Sequence, residues 1–380
     1  MARVTIPAGG TVMTVTGPVA ADLLGLTLPH EHVFFDLGNW LLPPPAHKRE
    51  LVGETVRADT FAEVFRDPMA FRDNLVFADE AIAEQELRWF AEAGGGTLVD
   101  VSLDSIGRDP AALRRLSERT GVTIVCGCGW YVQPTHTPAV AAATEEELAA
   151  QLVAEIRDGV RDTGVRPGII GEIGISDGIH PDEVKVLRAA ALAQQETGLA
   201  ITIHCPIPHE QRGPEIVGVL AAAGADPTRV ILGHQSHTAH SLDYQRACAD
   251  TGATIQFDRF GAEFLYESWG GYREPRDQDV VAAIAWLVAD GYGDRIMVSH
   301  DACYRVQLRS FGGAGYAHVP RHVVRWLEEA GVSAADVHCI TVENPARLLV
   351  AVTPGPGPAS GPASGPALAP ATTHAHGGPA

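Results

Sequence analysis

Several residues with metal-binding side chains stand at one kind of place in this sequence, the end of a short apolar run. His30 and His32 close Leu28-Pro29-His30-Glu31-His32. Side chains alternate along a strand, so residues two apart point to the same side and could chelate one ion. A single HxH pair is weak evidence, because surface or satisfied core histidines also occur at that spacing. The pattern gains weight by repetition. Ile169-Ile170-Gly171-Glu172, Ile201-Thr202-Ile203-His204, Ile231-Leu232-Gly233-His234 and Met297-Val298-Ser299-His300-Asp301 each finish in a carboxylate or an imidazole. Such a group is costly to bury without a partner, and a shared divalent metal would be that partner. His300 should face the opposite side of its strand from Asp301 and pack or hydrogen-bond behind it. A second HxH pair, His374 and His376, has no strand to aim it and no neighbouring ligand.

Those endings need a scaffold that gathers strand ends. Eight strand candidates can be counted, centred on 27–34, 97–103, 123–131, 168–175, 200–205, 230–234, 253–260 and 295–301. Several, such as Val230-Ile231-Leu232, are continuously apolar, as expected when both faces are buried. Helical patterns lie between them. Ala83, Leu87, Phe90 and Ala91 share a face, and Gly94-Gly95-Gly96 ends that helix. Asp109-Pro110 has the form of an N-cap and first-turn proline. Thr144 and Glu147 have the spacing of a capping box. The glycine run leads into a strand and lacks a following GK[ST], which excludes a phosphate loop. Alternating strands and helices predict an α/β fold, a (β/α)8 TIM barrel spanning 1–352. Its chemistry would sit at the C-terminal ends of the strands. A long loop after strand one, from Asp36 to Ala78, would lie over that mouth as a lid or pocket wall. From Thr353 to Ala380 the chain is Pro, Gly, Ala and Ser, a composition that predicts a disordered tail.

Bulk properties narrow the function classes. The 380 residues carry a formal charge of −19. That field opposes nucleic acid and anionic membranes. The N-terminus lacks a signal-peptide core and no apolar run is long enough for a bilayer, so a cytoplasmic protein is expected. The six cysteines form no CxxC pair and are expected as free thiols.

Gly25-Leu26-Thr27-Leu28-Pro29-His30-Glu31-His32 resembles the signature of phosphotriesterases in the amidohydrolase superfamily. The likeness runs in order through about residues 10–350. It takes in Gly107-Arg108-Asp109, Gly171-Glu172-Ile173-Gly174, Gly233-His234, Ser299-His300-Asp301 and Glu343-Asn344-Pro345. It is nearest to the phosphotriesterase-related proteins and the phosphotriesterase-like lactonases. The resemblance implies two divalent ions, zinc first, with manganese, cobalt or iron as alternatives. His30, His32 and Asp301 would hold the buried ion, and His204 and His234 the outer one. Glu172 would bridge them where classical members carry a carbamylated lysine. A hydroxide shared by two ions could attack an acyl carbon or phosphorus, with Asp301 taking the proton and returning it to the leaving group. A homodimer is common in the resembling family.

The substrate is less sharply indicated. Asp258-Arg259-Phe260-Gly261 resembles a lactonase stretch, so Arg259 could orient a lactone; the alternative is a structural ion pair with a nearby carboxylate. Tyr131 follows strand three where lactonases carry a pocket tyrosine, and could equally be a packed aromatic. His237 stands where classical phosphotriesterases have a relay aspartate, and Arg259 takes the place of their relay histidine. The expectation is a hydrolase of lactones or other carboxylic esters, with phosphotriesterase activity as a side reaction. The alternative is an amidohydrolase acting on a small N-acyl compound. Cys303 is not needed as a nucleophile where a metal supplies one.

Overall fold

The structure, a computed structural model, describes residues 9–51, 53–206 and 208–352. The proposed tail from Thr353 onward, with His374 and His376, lies outside the described residues. Eight strands form one sheet: β1 (Leu26–Glu31), β2 (Gly95–Asp100), β3 (Thr123–Cys128), β4 (Ile169–Gly174), β5 (Ile201–His204), β6 (Val230–Leu232), β7 (Thr254–Phe257) and β8 (Ile296–Val298). They lie in sequence order and every neighbouring pair is parallel. The first and last strands meet through His30, whose carbonyl accepts from the Asp301 N–H at 3.1 Å. The His30 N–H donates to Ser299 Oγ at 3.1 Å. The fold is the expected (β/α)8 barrel.

Alternate strand residues serve two cores. Val99, Val101, Val125, Ile169, Ile231 and Met297 pack together inside the barrel, with Leu348 and Leu349 of the C-terminal helical turn against them. Their strand neighbours Leu98, Ile124, Ile170, Val230, Leu232 and Val298 join the larger cluster shared with the surrounding helices. Burial on both faces is the physical reason these strands read as unbroken apolar runs.

The connecting helices are α1 (Glu80–Glu92), α2 (Pro110–Thr120), α3 (Glu145–Asp158), α4 (Pro181–Thr197), α5 (Gly213–Ala222), α6 (Leu242–Asp250) and α7 (Asp277–Ala289). The starts of α2 and α3 follow the sequence signals: Asp109 accepts from the Ala112 N–H, and Thr144 and Glu147 make a reciprocal capping box. Helical turns at Val324–Glu329, Ala334–His338 and Asn344–Leu349 complete the described chain. None of the described helices is long and apolar enough to cross a membrane. All six cysteines are buried.

Two insertions build a roof over the strand ends. The first is the long segment after β1. It leaves and returns through a short antiparallel pair, Phe35–Asp36 against Val76–Phe77. The second, not anticipated from sequence, is a hairpin after β7 that pairs Leu265–Tyr266 with Tyr272–Arg273. The two are tied together. Ser268 Oγ donates to Asp67 Oδ2 at 2.6 Å, and Lys48 reaches Glu267 at 2.9 Å. An N-terminal hairpin, Thr11–Thr14 with Gly17–Ala20, also escaped the sequence reading.

Candidate metal centre

Several strands stop sooner than their sequence patterns suggest: His30, Glu172 and His204 stand within the last residues of β1, β4 and β5, while His32, His234 and Asp301 lie just past β1, β6 and β8. In β1 the pairing register with β2 shifts between Leu28 and Glu31. Pro29 has no N–H to give to the ladder, and the irregularity falls at the HxH pair. Past β6 and β8 the chain turns sharply. His234 and Asp301 have φ of 61° and 47°, a left-handed conformation that costs a non-glycine residue about 1–3 kcal/mol. Both are held there by hydrogen bonds. The His234 N–H donates to the Asp258 carboxylate at 3.0 Å, and the Asp301 N–H to His30 as described above.

The six residues singled out by their strand-end positions converge. Glu172 lies at the middle. Its Oε1 is 3.3 Å from His32 Nε2. Its Oε2 is 3.4 Å from His30 Nε2, 3.5 Å from His204 Nδ1 and 3.6 Å from His234 Nε2. Asp301 Oδ1 is 3.2 Å from His32 Nε2 and 3.8 Å from His30 Nε2. His204 Nδ1 and His234 Nε2 face each other at 2.7 Å. Ligand-type atoms of His30, His32 and Asp301 fall within 4.8 Å of one another, and so do those of Glu172, His204 and His234. Among the described residues, both ring nitrogens of His30 and Oε2 of Glu172 are buried without a hydrogen-bond partner. Buried polar atoms are nearly always satisfied. Imidazole nitrogens and carboxylate oxygens left open toward a common space are the donor set that zinc and similar ions take. The residues therefore fit a metal centre.

The charges point the same way. Burial alone would raise the Glu172 carboxyl, yet His30, His204 and His234 hold it well below the ordinary carboxylate range. Burial would likewise raise Asp301, and Arg259 with the histidines holds it down. Burial lowers His32, but Asp301 and Glu172 outweigh it and bring the ring to about 10. The carboxylates thus demand positive charge at this spot, from protons or from metal.

Behind these residues stands a ring of supports that the sequence reading did not assign. His32 Nδ1 is 2.9 Å from Ser102 Oγ, which donates to the Phe34 carbonyl. Glu31, between the two histidines, points the other way and grips the Asp301 turn. Its Oε1 accepts from Ser299 Oγ, the His300 N–H and His300 Nδ1, and its Oε2 from the Ala302 N–H. His300 accordingly hydrogen-bonds behind Asp301, as expected. Asp258 lies against both His30 and His234. The only signal for these carboxylates was adjacency to a ligand or to Arg259, which is weak on its own.

A cavity of about 130 Å³ opens over the cluster, walled in part by Trp40 and Met69 of the first insertion and Tyr266 and Trp269 of the second. Tyr131 and Arg259 both line it. Tyr131 is buried, with its OH 3.3 Å from His204 Nδ1. Arg259 has every nitrogen engaged: Nε and Nη2 on Glu274 Oε1, Nη2 also on Tyr266, and Nη1 on Asp301 Oδ2 at 2.7 Å. Its contacts fit the ion-pair alternative raised above. His237 also lines the cavity, with Nδ1 2.8 Å from Tyr272 OH. Cys303 lines it too, but burial pushes its thiol well above the ordinary range, which disfavours a nucleophilic role.

Known proteins share this arrangement of the chain. Residues 10–349 match the phosphotriesterase family. An N-acetyltaurine hydrolase of Xenopus tropicalis is 35% identical over 342 residues, covering 90% of this chain and 98% of the relative. Among solved structures, a resiniferatoxin-binding protein from Rhodobacter sphaeroides superposes with a TM-score of 0.88 at 35% identity, covering 91% of this chain and 96% of the other. A mutant PTE-like lactonase from Deinococcus radiodurans superposes with a TM-score of 0.71 at 30% identity, covering 89% and 100%. Matched over almost all of its described length, the chain belongs to the phosphotriesterase family, a family of hydrolases.

Proposed function

We propose that this chain is a binuclear metal-dependent hydrolase of small N-acyl compounds. His30, His32 and Asp301 would hold one ion, His204 and His234 the other, and Glu172 both. The observation that carries metal dependence is the facing pair His30 Nε2 and Glu172 Oε2, 3.4 Å apart and both buried without a hydrogen-bond partner among the described residues. Two divalent ions, zinc first by ligand type, would polarise an acyl oxygen and acidify water at the site. The chain's own residues supply the rest. Arg259 keeps Asp301 ionised, so that its carboxylate can accept a proton from water. Asp301 can then return that proton to the departing nitrogen, which an amine needs far more than an alkoxide does. Burial keeps the Tyr131 hydroxyl protonated, so it can donate to substrate from the cavity wall. The aromatic roof limits the entry of bulk water.

The choice of an amide over a lactone rests on two points. The relatives named N-acetyltaurine hydrolase are 32–35% identical and are matched over 98% of their length. The lactone expectation leaned on Arg259, whose donors are engaged within the protein. Arg259 is also the sole Arg or Lys among the described residues lining the cavity, so the proposal extends to the N-acyl class and not to a sulfonate in particular. A lactonase is the second reading, favoured by the lactonase structure above. A cytoplasmic homodimer completes the proposal.

The test is a hydrolysis panel on metal-reconstituted protein, with Asp301→Asn as control. It compares N-acetyltaurine, N-acetyl amino acids and N-acetyl amines with aliphatic and acyl-homoserine lactones and an aryl phosphotriester. Amide turnover that vanishes in Asp301→Asn supports the proposal. Lactones leading by orders of magnitude in kcat/KM would replace it with the lactonase reading.

A further inference from the structure

Asp258 is fully buried at the end of β7 and has no part in the chemistry described above. Its carboxylate lies between two of the proposed ligands. Oδ1 is 3.2 Å from His234 Nδ1 in a hydrogen bond. Oδ2 is 3.3 Å from His30 Nδ1, though short of hydrogen-bond alignment. His30 Nδ1 has no other hydrogen-bond partner among the described residues. The carboxylate is itself fixed by the His234 N–H and by Gln256 Nε2 at 3.1 Å. Gly233 makes room for it: a Cβ there would stand 2.7 Å from the Ile203 carbonyl and 3.3 Å from Asp258 Oδ2.

His30 and His234 belong to different proposed ions. Each turns Nδ1 toward Asp258 and Nε2 toward Glu172. An imidazole that gives its Nδ1 proton to a carboxylate keeps its lone pair on Nε2, and such partners set both the tautomer and the orientation of a ligand ring. We propose that Asp258 is a shared positioning carboxylate that fixes one histidine of each metal site in the Nδ1–H tautomer and so couples the affinities of the two ions. The inference rests on the metal-centre reading of the preceding section. A competing role exists, because ligand-type atoms of His30, His234 and Asp258 also fall within 4.8 Å of one another, so Asp258 could itself ligate. The opposite placement of Glu172 favours support over ligation: both rings aim Nε2 at Glu172, and only their rear nitrogens face Asp258.

The experiment compares the full-length protein with its Asp258→Asn variant, each loaded with zinc and separately with cobalt(II). An amide has one acceptor oxygen, so it can serve one histidine and not both. Two ions should bind to wild-type protein. In Asp258→Asn the retention of zinc against a chelator should fall about 10- to 100-fold for at least one ion, and the cobalt(II) visible spectrum should change. The melting temperature of the metal-free forms separates this loss from a folding defect. Long-range proton–nitrogen correlation of the histidine rings in zinc-loaded wild type reads the tautomers directly, and stands even if the variant does not fold. Nδ1–H signals on His30 and His234 support the proposal; a proton on Nε2, or an unprotonated Nδ1 on either ring, would overturn it. Wild type that binds two ions beside a variant with equal retention and an unchanged spectrum would sink this inference alone. Wild type that takes up no ion would remove the metal reading as well.

Discussion

Replacing Glu31 by glutamine tests how far the position of Asp301 depends on the residue between the two histidines. Glu31 is buried and accepts from Ser299 Oγ at 2.8 Å, the His300 N–H at 2.9 Å, His300 Nδ1 at 2.7 Å and the Ala302 N–H at 3.0 Å. These bonds bracket Asp301, which sits between His300 and Ala302 in a left-handed conformation. A glutamine keeps the shape but loses the charge and one acceptor. With its oxygen in the Oε1 position, its amide nitrogen faces the Ala302 N–H, donor against donor. A buried donor left unsatisfied costs about 1–3 kcal/mol. The remaining bonds lose their charge assistance, which roughly doubles the strength of such a bond. Together these give a destabilisation of about 3–5 kcal/mol. The freed turn also lets Asp301 drift, and a displacement of about 1 Å at a reacting group can cost about 100-fold in rate. Urea denaturation of the metal-free protein reads the first effect, and kcat at saturating metal the second. A loss below about 1 kcal/mol together with an unchanged kcat would refute the clamp.

Three further outcomes are expected. In the metal-free protein His32 titrates at about 10, so an ion binding at neutral pH must displace its proton. Metal affinity should therefore rise as pH rises toward that value, and calorimetry in buffers of different ionisation enthalpy should show proton release; pH-independent affinity would contradict it. Burial pushes the Cys126 and Cys248 thiols up to about 12, so neither should react with thiol reagents at pH 8 until denaturant is added, and rapid native labelling of either, mapped by mass spectrometry, would argue against this burial. Glu274→Leu strands the buried guanidinium of Arg259 on its hairpin side, which should cost about 3–5 kcal/mol in denaturation and lower kcat by loosening the hold on Asp301. Equal stability and kcat would show that Arg259 does not depend on this partner.

The eight strands were legible because burial on both faces leaves an unmistakable apolar run, and the α2 and α3 starts because Asp109 and Thr144 leave local capping signals. The strand-end residues were legible for a related reason: a histidine or carboxylate closing such a run contradicts its surroundings unless something pairs with it. The supports were harder to read. Glu31 and Asp258 gain their meaning from partners 268 positions away in one case and 24 in the other, and no local pattern encodes such a distance. The hairpin after β7 was missed because its paired segments, Leu265–Tyr266 and Tyr272–Arg273, are too short to show period-two alternation. Arg259 was read first by its resemblance to a lactonase stretch, yet its role depends on Glu274, a residue of that same unread hairpin.

The supports also explain why the proposed ligands stand on strand ends. Residues two apart on β1 send His30 and His32 to the site while Glu31 reaches the turn after β8, so one segment supplies ligands on one face and a clamp on the other. The end of β7 divides its work similarly: Asp258 turns to the histidines of β1 and β6, and Arg259 turns to Asp301. Each proposed ligand on β1, β6 and β8 is thus steadied by a residue from another strand end. A shift of one strand would disturb ligands on several others, which binds barrel geometry to metal geometry. Metal binding should accordingly stabilise the barrel as a whole, since an ion that prefers the assembled ligand set draws the folding equilibrium with it.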